Sequence, residues 1–154
     1  MGNLAIGDKA PAIDSLDQEG KRITLEQYKG KKIVLYFYPK DNTPGCTAES
    51  CDLRDHYDQF IQQGFEVIGV SADSEQSHQK FIAQHQLPFP LISDTEKKVL
   101  QDYGAWGEKK NYGKTYMGII RKTFVIDEEG IIINIIEKVK TKEHSTQIFN
   151  ELSH

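Results

Sequence analysis

The feature that most constrains the fold is an apolar run that ends in a turn beside a cysteine. Residues 33–38 read IVLYFY, and a continuous apolar run of this length is typical of a strand covered on both faces. Pro39 ends the run, and the string NTPG at positions 42–45 has the composition of a turn. Residues 47–62 then favour helix. The pattern predicts a buried strand, a tight loop and a helix, with Cys46 where the loop becomes the helix.

This position favours chemistry at the Cys46 sulfur. Backbone N–H groups at a helix start lack intrahelical partners, and the helix dipole is positive there. A free thiol has a pKa of about 8.5 and is mostly protonated near neutral pH, so a helix start favours the reactive thiolate. The competing interpretation is that Cys46 and Cys51 are two small buried hydrophobes. The two residues alone leave both interpretations open.

The cysteine count narrows the chemistry further. Two cysteines in 154 residues are too few for a disulfide scaffold, and a close pair is more typical of redox or metal chemistry. A zinc site would need four ligands, and helical spacing scatters Cys46, Cys51 and His56 around the axis. We therefore predict no metal. A cysteine–histidine hydrolase is not favoured either, because no histidine is placed convincingly beside the thiol.

Length and charge exclude several classes of protein. A chain of 154 residues with 38% hydrophobic and 27% charged residues predicts one soluble globular domain spanning residues 1–154. The net charge of −4 argues against nucleic acid or anionic membranes as partners. The first residues lack a basic region followed by an apolar stretch, and no apolar run approaches the ~18 residues of a membrane span. We expect a cytoplasmic protein.

The rest of the chain alternates strands and helices. A turn at 16–20 and a strand at 22–25 predict an N-terminal hairpin. Strands are then expected at 65–71 and 87–93, with helices at 74–84 and 97–103. Residues 108–118 are predicted to form a polar loop, followed by paired strands at 119–126 and 131–137 and a closing helix at 141–152. This order predicts an α/β fold with a mixed central sheet, helices on both faces and an N-terminal β-hairpin.

The same segment carries a resemblance to a known family. The spacing of Pro39, Thr43 and Cys46 resembles the active-site motif of peroxiredoxins. The string TPGCT at 43–47, with a second cysteine at 51, is similar to the bacterioferritin comigratory protein, or PrxQ, subfamily. The strings YGAWGEKK at 103–110 and GIIRKTFVID at 118–127 extend the resemblance along most of the chain. It implies a thioredoxin fold and a peroxidase of hydrogen peroxide and organic hydroperoxides that needs no cofactor.

The resemblance also implies roles for individual residues. Cys46 would attack the peroxide and become a sulfenic acid, Cys51 would condense with it as a disulfide, and a thioredoxin-type dithiol would reduce that disulfide. The Thr43 hydroxyl and the Cys46 backbone N–H would hold the peroxide oxygens. Arg121 would favour the thiolate, and Pro39 would shield it from water. This division of roles predicts an atypical two-cysteine enzyme.

Three further expectations follow. The resemblance implies that Glu49 orients a nearby arginine, and that the protein is a monomer. Five residues of α-helix separate two Cα atoms by about 8.7 Å, whereas a disulfide tolerates at most about 6.8 Å, so the Cys46–Cys51 bridge requires the helix to unwind. Two other functions stay open: a general thiol–disulfide oxidoreductase acting on protein disulfides, and a non-catalytic redox-sensing module on the same fold.

Overall fold

The structure, a computed structural model, describes residues 4–152. Its strands, in chain order, are β1 (Asp14–Leu16), β2 (Arg22–Thr24), β3 (Lys32–Phe37), β4 (Phe65–Ser71), β5 (Leu91–Ser93), β6 (Trp106–Asn111), β7 (Lys114–Ile119), β8 (Lys122–Ile126) and β9 (Ile132–Ile136). Its α-helices are α1 (Pro44–Asp55), α2 (Tyr57–Gln62), α3 (Glu75–His85), α4 (Lys98–Asp102) and α5 (His144–Leu152). Short 3-10 helices at Leu25–Tyr28 and Thr141–Glu143 precede β3 and α5.

The apolar run predicted at 33–38 forms the centre of the molecule. Strand β3 lies in the middle of a five-stranded sheet of order β5-β4-β3-β8-β9. It pairs in parallel with β4 and antiparallel with β8, so the sheet is mixed, as the sequence predicted. Strands β1 and β2 form the expected N-terminal hairpin. The middle of β3 is fully buried because both of its faces are covered.

Two apolar clusters lie on opposite faces of this sheet. Alternate residues of β3 divide between them, with Leu35 in one cluster and Val34 in the other. The Leu35 cluster includes Leu100 of α4. The Val34 cluster includes Leu53 of α1 and further residues of α2, α3 and α5. Helices therefore cover both faces, as predicted, and α1 with Cys46 packs on the Val34 face.

The prediction of a polar loop at 108–118 is wrong. Strands β6 and β7 form an antiparallel hairpin there, and its turn consists of Tyr112 and Gly113, both with positive φ angles of 51° and 78°. This is the backbone that two-residue hairpin turns require. The hairpin was missed because most of its side chains are exposed, so no alternation of apolar and polar residues marks it. The strand expected at 119–126 is also divided, because β7 ends at Ile119 and β8 begins at Lys122.

The single helix expected at 47–62 is two helices. It begins earlier, at Pro44, and is interrupted at His56. The Asp52 carbonyl accepts the backbone N–H of His56 at 3.3 Å and also the His56 ring Nδ1 at 2.9 Å, and His56 adopts φ −109° and ψ 10°. The interruption separates α1, which carries both cysteines, from α2. No helix among residues 4–152 is long and apolar enough to cross a membrane.

Candidate active site

Cys46 lies in the first turn of α1, as its third residue. Thr43 is the N-cap in extended conformation, and Pro44 occupies the first helical position, where its missing N–H costs nothing. The Thr43 carbonyl accepts the Thr47 N–H at 2.8 Å. Cys46 is 1% exposed. The sulfur is therefore held at the positive end of the helix, in a site largely closed to bulk water.

Arg121 reaches this sulfur from the connection between β7 and β8. Its Nη2 lies 3.3 Å from Cys46 Sγ, and its Nη1 donates to Glu49 Oε1 at 2.6 Å. Burial works against the arginine charge, but the charges of Glu49 and Cys46 outweigh it and raise the pKa of Arg121. A Cβ on Gly45 would lie 3.3 Å from Arg121 Nη2, so glycine leaves room for the guanidinium. The guanidinium and the start of α1 therefore both place positive charge beside the Cys46 sulfur.

Glu49 and His144 lie behind the arginine. Both are fully buried, and Glu49 Oε2 faces His144 Nε2 at 3.4 Å. Burial raises the pKa of Glu49 to about 7, against the opposing effect of Arg121. Burial also lowers the pKa of His144 to about 4. The resemblance led us to expect Glu49 beside an arginine, but His144 was not predicted, because nothing in its local sequence marks it.

The predicted peroxide-binding residues lie in the loop before α1. The Thr43 hydroxyl donates to the Lys40 carbonyl at 2.8 Å, which leaves its lone pairs free to accept a hydrogen bond. Pro39, in the same loop, is partly exposed. The structure thus brings Cys46, Thr43 and Arg121 to one end of α1, with Pro39 preceding them in the connecting loop.

This loop is braced by buried polar groups that the sequence analysis missed. Asp41 Oδ1 accepts from the Tyr38 hydroxyl at 2.6 Å, while its Oδ2 accepts from Ser77 Oγ and His78 Nδ1, both at 2.7 Å. The Asp41 N–H donates to Asp73 Oδ2 at 2.8 Å. Asp41 and His78 lie 37 residues apart, so only the fold reveals their contact. We call these five residues the loop brace.

Three members of the loop brace also have the composition of a metal site. Ligand atoms of Asp41, Asp73 and His78 lie within 4.8 Å of one another. Each of these residues already has an oxygen or nitrogen engaged in the hydrogen bonds of the brace. The His78 Nε2 additionally contacts the Ile92 carbonyl at 3.0 Å. Both ring nitrogens of His78 are thus engaged within the protein.

Cys51 lies further along the same helix. It is partly buried, and both cysteines are free thiols. Its neighbour Asp52 ties α1 to the start of α5. The Asp52 carboxylate accepts the Ser145 N–H at 2.6 Å, and the Ser145 hydroxyl donates to the Asp52 carbonyl at 3.2 Å. We call this pair of contacts the α1–α5 latch.

Comparison with known proteins agrees with this fold. The AhpC/TSA family model matches residues 6–135. Peroxiredoxin Bcp of Bacillus subtilis is 48% identical over 149 residues, which cover 97% of this chain and 95% of that protein. A mutant of Xylella fastidiosa PrxQ has a TM-score of 0.91 at 33% identity, covering 99% of this chain and 98% of that one.

The structure of a third relative concerns a specific reaction. This relative is the Xanthomonas campestris bacterioferritin comigratory protein, whose structures with a trapped intermediate and ligand concern alkyl peroxide reduction. Its TM-score is 0.85 at 35% identity, over 92% of this chain and 90% of that one. The chain belongs to the AhpC/TSA family. Its relatives there are peroxiredoxins of the bacterioferritin comigratory protein, or PrxQ, type, which confirms the predicted resemblance and the class of thiol-dependent peroxidase.

Proposed function

We propose that Cys46 is the residue that attacks the peroxide, as a thiolate. The observation that carries this proposal is the 3.3 Å contact between Arg121 Nη2 and Cys46 Sγ at the first turn of α1. The sulfur electron pair attacks the terminal oxygen of the hydroperoxide, an S–O bond forms and the O–O bond breaks. The leaving oxygen departs with the bonding pair and takes a proton, which leaves a sulfenic acid on Cys46.

The surrounding groups suit the transition state of this displacement. The Thr43 hydroxyl donates to the Lys40 carbonyl, so it can accept the hydrogen bond of the peroxide O–H. The Cys46 backbone N–H lies in the first helical turn, where amides lack intrahelical partners. Together with the Arg121 guanidinium, it can stabilise the developing charge on the leaving oxygen. Pro39 limits the access of water to the thiolate.

We infer that Cys51 resolves the sulfenic acid. The two cysteines occupy one continuous helix, where five residues separate their Cα atoms by about 8.7 Å. A disulfide requires at most about 6.8 Å, so α1 must unwind locally before the Cys51 sulfur can displace hydroxide from the Cys46 sulfur and release water. Unwinding breaks the α1–α5 latch beside Cys51. Slow unwinding leaves the sulfenic acid exposed to a second peroxide and to over-oxidation.

The proposal also covers the substrates, the reductant, the compartment and the oligomeric state. We extend to this chain the alkyl peroxide reduction described for the Xanthomonas protein, beside reduction of hydrogen peroxide. A dithiol protein of the thioredoxin kind would reduce the Cys46–Cys51 disulfide. Two free thiols suit a reducing compartment, so we assign the enzyme to the cytoplasm. A single chain supplies every group of the described site, which supports action as a monomer.

Two single substitutions test the division of labour between the cysteines. Cys46→Ser should abolish peroxide reduction, because Ser lacks a nucleophile of comparable reactivity. Cys51→Ser should consume one equivalent of peroxide and stop at a sulfenic acid, detected by mass spectrometry after trapping. If Cys51→Ser does not react with peroxide while Cys46→Ser still does, the assignment is reversed.

The same assay distinguishes the alternative functions. Peroxide consumption over many turnovers with a thioredoxin system identifies the peroxidase. A general thiol–disulfide oxidoreductase would reduce a protein disulfide instead, and a redox sensor would oxidise once and stop. Sustained peroxide turnover would therefore exclude both alternatives as the main activity.

A further inference from the structure

One oxygen of Glu49 lacks the hydrogen bond that its burial calls for. Glu49 is 0% exposed, and its Oε1 accepts from Arg121 Nη1 at 2.6 Å. Its Oε2 has no hydrogen-bond partner among residues 4–152, and it faces His144 Nε2 at 3.4 Å. A buried carboxylate oxygen without a donor is costly in free energy. Whether Glu49 or His144 carries a proton therefore affects the stability of the site.

The contacts of His144 define where its proton lies. His144 Nδ1 is 3.0 Å from Gln147 Oε1. That oxygen also accepts the Lys140 N–H at 3.0 Å, and the Gln147 amide nitrogen donates to the Lys138 carbonyl at 2.8 Å, which fixes the amide orientation. Nδ1 must therefore donate. In the neutral ring, Nε2 then carries a lone pair that is open to a donor on either side, Thr123 Oγ1 at 2.7 Å or Glu49 Oε2 at 3.4 Å.

A proton between the two side chains removes a repulsive contact. With Glu49 ionised and His144 neutral, two atoms bearing lone pairs would face each other at 3.4 Å inside the protein. A proton on either atom turns this contact into an attractive one. Burial raises the pKa of Glu49 to about 7 and lowers that of His144 to about 4. Both shifts favour the proton on the carboxyl and a neutral ring.

The charge count of the site leads to the same arrangement. The titratable groups that act on Glu49 or respond to its charge are Cys46 and Asp52 of α1, Arg121 of the β7–β8 connection, His144 of α5 and Tyr36 of β3. Burial raises the pKa of Tyr36 far above its ordinary value, so it stays neutral, and the Asp52 carboxylate is engaged by Ser145. A Cys46 thiolate balances Arg121 when Glu49 is protonated.

Oxidation of the sulfur reverses this balance. A sulfenic acid is neutral, so the partly buried guanidinium of Arg121 loses its counter-charge when the thiolate is consumed. An unpaired charge in such a site is strongly unfavourable. Glu49, whose Oε1 lies 2.6 Å from Arg121 Nη1, restores the balance if it ionises at that moment. The group formed by Cys46, Glu49 and Arg121 then holds one positive and one negative charge both before and after the reaction.

We propose that Glu49 and His144 store one proton in the reduced enzyme and release it as the Cys46 thiolate is oxidised. The inference rests on the proposed role of Cys46. The step balances as follows: thiolate, hydroperoxide and protonated Glu49 give sulfenic acid, alcohol or water, and ionised Glu49. The sulfur loses two electrons and the peroxide bond gains them. The proton that the leaving oxygen needs comes from Glu49, so the site takes up no net proton. Reduction of the disulfide regenerates the thiolate and returns a proton to the pair.

Infrared difference spectroscopy tests the proposal directly. Cys51→Ser protein, which stops at the sulfenic acid, is mixed with hydrogen peroxide, and spectra before and after are subtracted. We expect loss of the C=O band of a protonated carboxyl and gain of carboxylate bands. Both changes should be absent in Cys51→Ser/Glu49→Gln. The matched control Cys51→Ser/Glu66→Gln should keep both, because Glu66 lies elsewhere, beside Tyr57.

A second readout covers the case in which Glu49→Gln perturbs the fold. In weakly buffered solution with a pH indicator, at a pH where Cys46 is a thiolate, the Glu49→Gln double variant should take up one proton for each Cys46 oxidised. The Cys51→Ser parent should take up markedly less. Mass spectrometry separates the possible failures. Absence of sulfenic acid on Cys46 contradicts the proposed function, whereas sulfenic acid with no carboxyl band change in the parent overturns the proton store alone.

Discussion

The two halves of the 39–51 segment are held in place by different parts of the chain. The loop half is fixed through Asp41 by hydrogen bonds to Tyr38, Ser77 and His78, within the loop brace. The helical half is held from the C-terminal part of the chain, by Arg121 on Glu49 and by the α1–α5 latch. The loop contacts are buried charges and hydroxyls, whereas each helix contact lies beside a cysteine.

This difference matches what each half must do. The proposed peroxide site needs the loop to stay in one geometry through every turnover, and a buried network of several hydrogen bonds provides that rigidity. Under the proposed resolution by Cys51, the helix opens once per turnover so that Cys51 can reach Cys46. The two hydrogen bonds of the α1–α5 latch are fewer than those of the loop brace, so they can be broken and remade at lower cost. We therefore expect the loop brace to control the first oxidation and the α1–α5 latch to control disulfide formation.

The largest effect is expected from breaking the loop brace. Asp41→Asn replaces one of the carboxyl oxygens that contact Tyr38, Ser77 and His78, and a shift of about 1 Å in a reacting group can cost about 10²-fold in rate. We expect Cys46 oxidation, measured by stopped flow with hydrogen peroxide, to slow by about that factor. Ser77→Ala, which removes one hydrogen bond to Asp41, should have a smaller effect in the same direction. An unchanged oxidation rate in a folded Asp41→Asn protein would contradict the brace.

A smaller loss is expected at Arg121. Arg121→Ala removes the cation 3.3 Å from Cys46 Sγ and should slow oxidation by at least about tenfold, equivalent to ~1.4 kcal/mol. Arg121→Lys restores charge without the rigid fork of donors, so rescue should be partial. The measurement is the same stopped-flow rate, taken over a range of pH. Full rescue by lysine would show that charge alone matters, and an unchanged rate in the alanine variant would exclude Arg121 from the site.

The α1–α5 latch should affect the second step alone. Ser145→Ala removes the hydroxyl contact to the Asp52 carbonyl at 3.2 Å and keeps the N–H contact, so α1 should open more readily. We expect disulfide formation to accelerate a few-fold, the yield of sulfinic acid at high peroxide to fall, and the first oxidation rate to stay unchanged. Thr146→Ala, at the exposed neighbouring position of α5, serves as a matched control. A change in the first oxidation rate would show that the latch is not specific to opening.

Hydrogen exchange shows whether α1 opens at all. Amides of residues 46–54 should lose protection when the disulfide forms, while β4 should stay protected in both states. Equal protection across α1 in the reduced and oxidised proteins, with the disulfide confirmed by mass spectrometry, would exclude local unwinding.

The smallest expected effect is on the pH dependence of stability. The pKa of Glu49 is raised in the folded protein from 4.5 to about 7, so its contribution is present below pH 4.5 and is lost as pH rises towards 7. The pKa of His144 is lowered from 6.5 to about 4, so its contribution is present above pH 6.5 and is lost as pH falls towards 4. The two trends oppose each other between pH 4.5 and 6.5.

Removal of the Glu49 carboxyl leaves the pH dependence of stability that His144 contributes. Glu49→Gln should therefore lose unfolding free energy more steeply than the wild type as pH falls from 6.5 to 4.5. The additional slope is bounded by about 1.4 kcal/mol per pH unit for one proton. Urea unfolding at several pH values measures it, with Glu66→Gln as the control. A wild-type-like slope in Glu49→Gln would show that the carboxyl does not titrate in this range.

The sequence predicted the fold better than it predicted the site. Apolar runs at 33–38 and 65–71 lie in the two buried parallel strands β3 and β4, because burial on both faces leaves a clear compositional signal. The β6–β7 hairpin was missed since its exposed faces leave no such signal. Arg121 was suggested only through the resemblance. The partners of Glu49, and those of Asp41 other than Tyr38, lie in distant segments, and no local pattern could indicate those contacts.

The 75-residue separation between Cys46 and Arg121 has a consequence for biosynthesis. A ribosome adds about 5–20 residues per second, so the cysteine is made roughly 4–15 s before the arginine proposed to activate it. Strand β8, which directly follows Arg121, pairs with the central strand β3, so the cation arrives together with the strand that completes the centre of the sheet. Under the proposed roles of Cys46 and Arg121, the nascent chain would gain its peroxide reactivity only when the sheet closes.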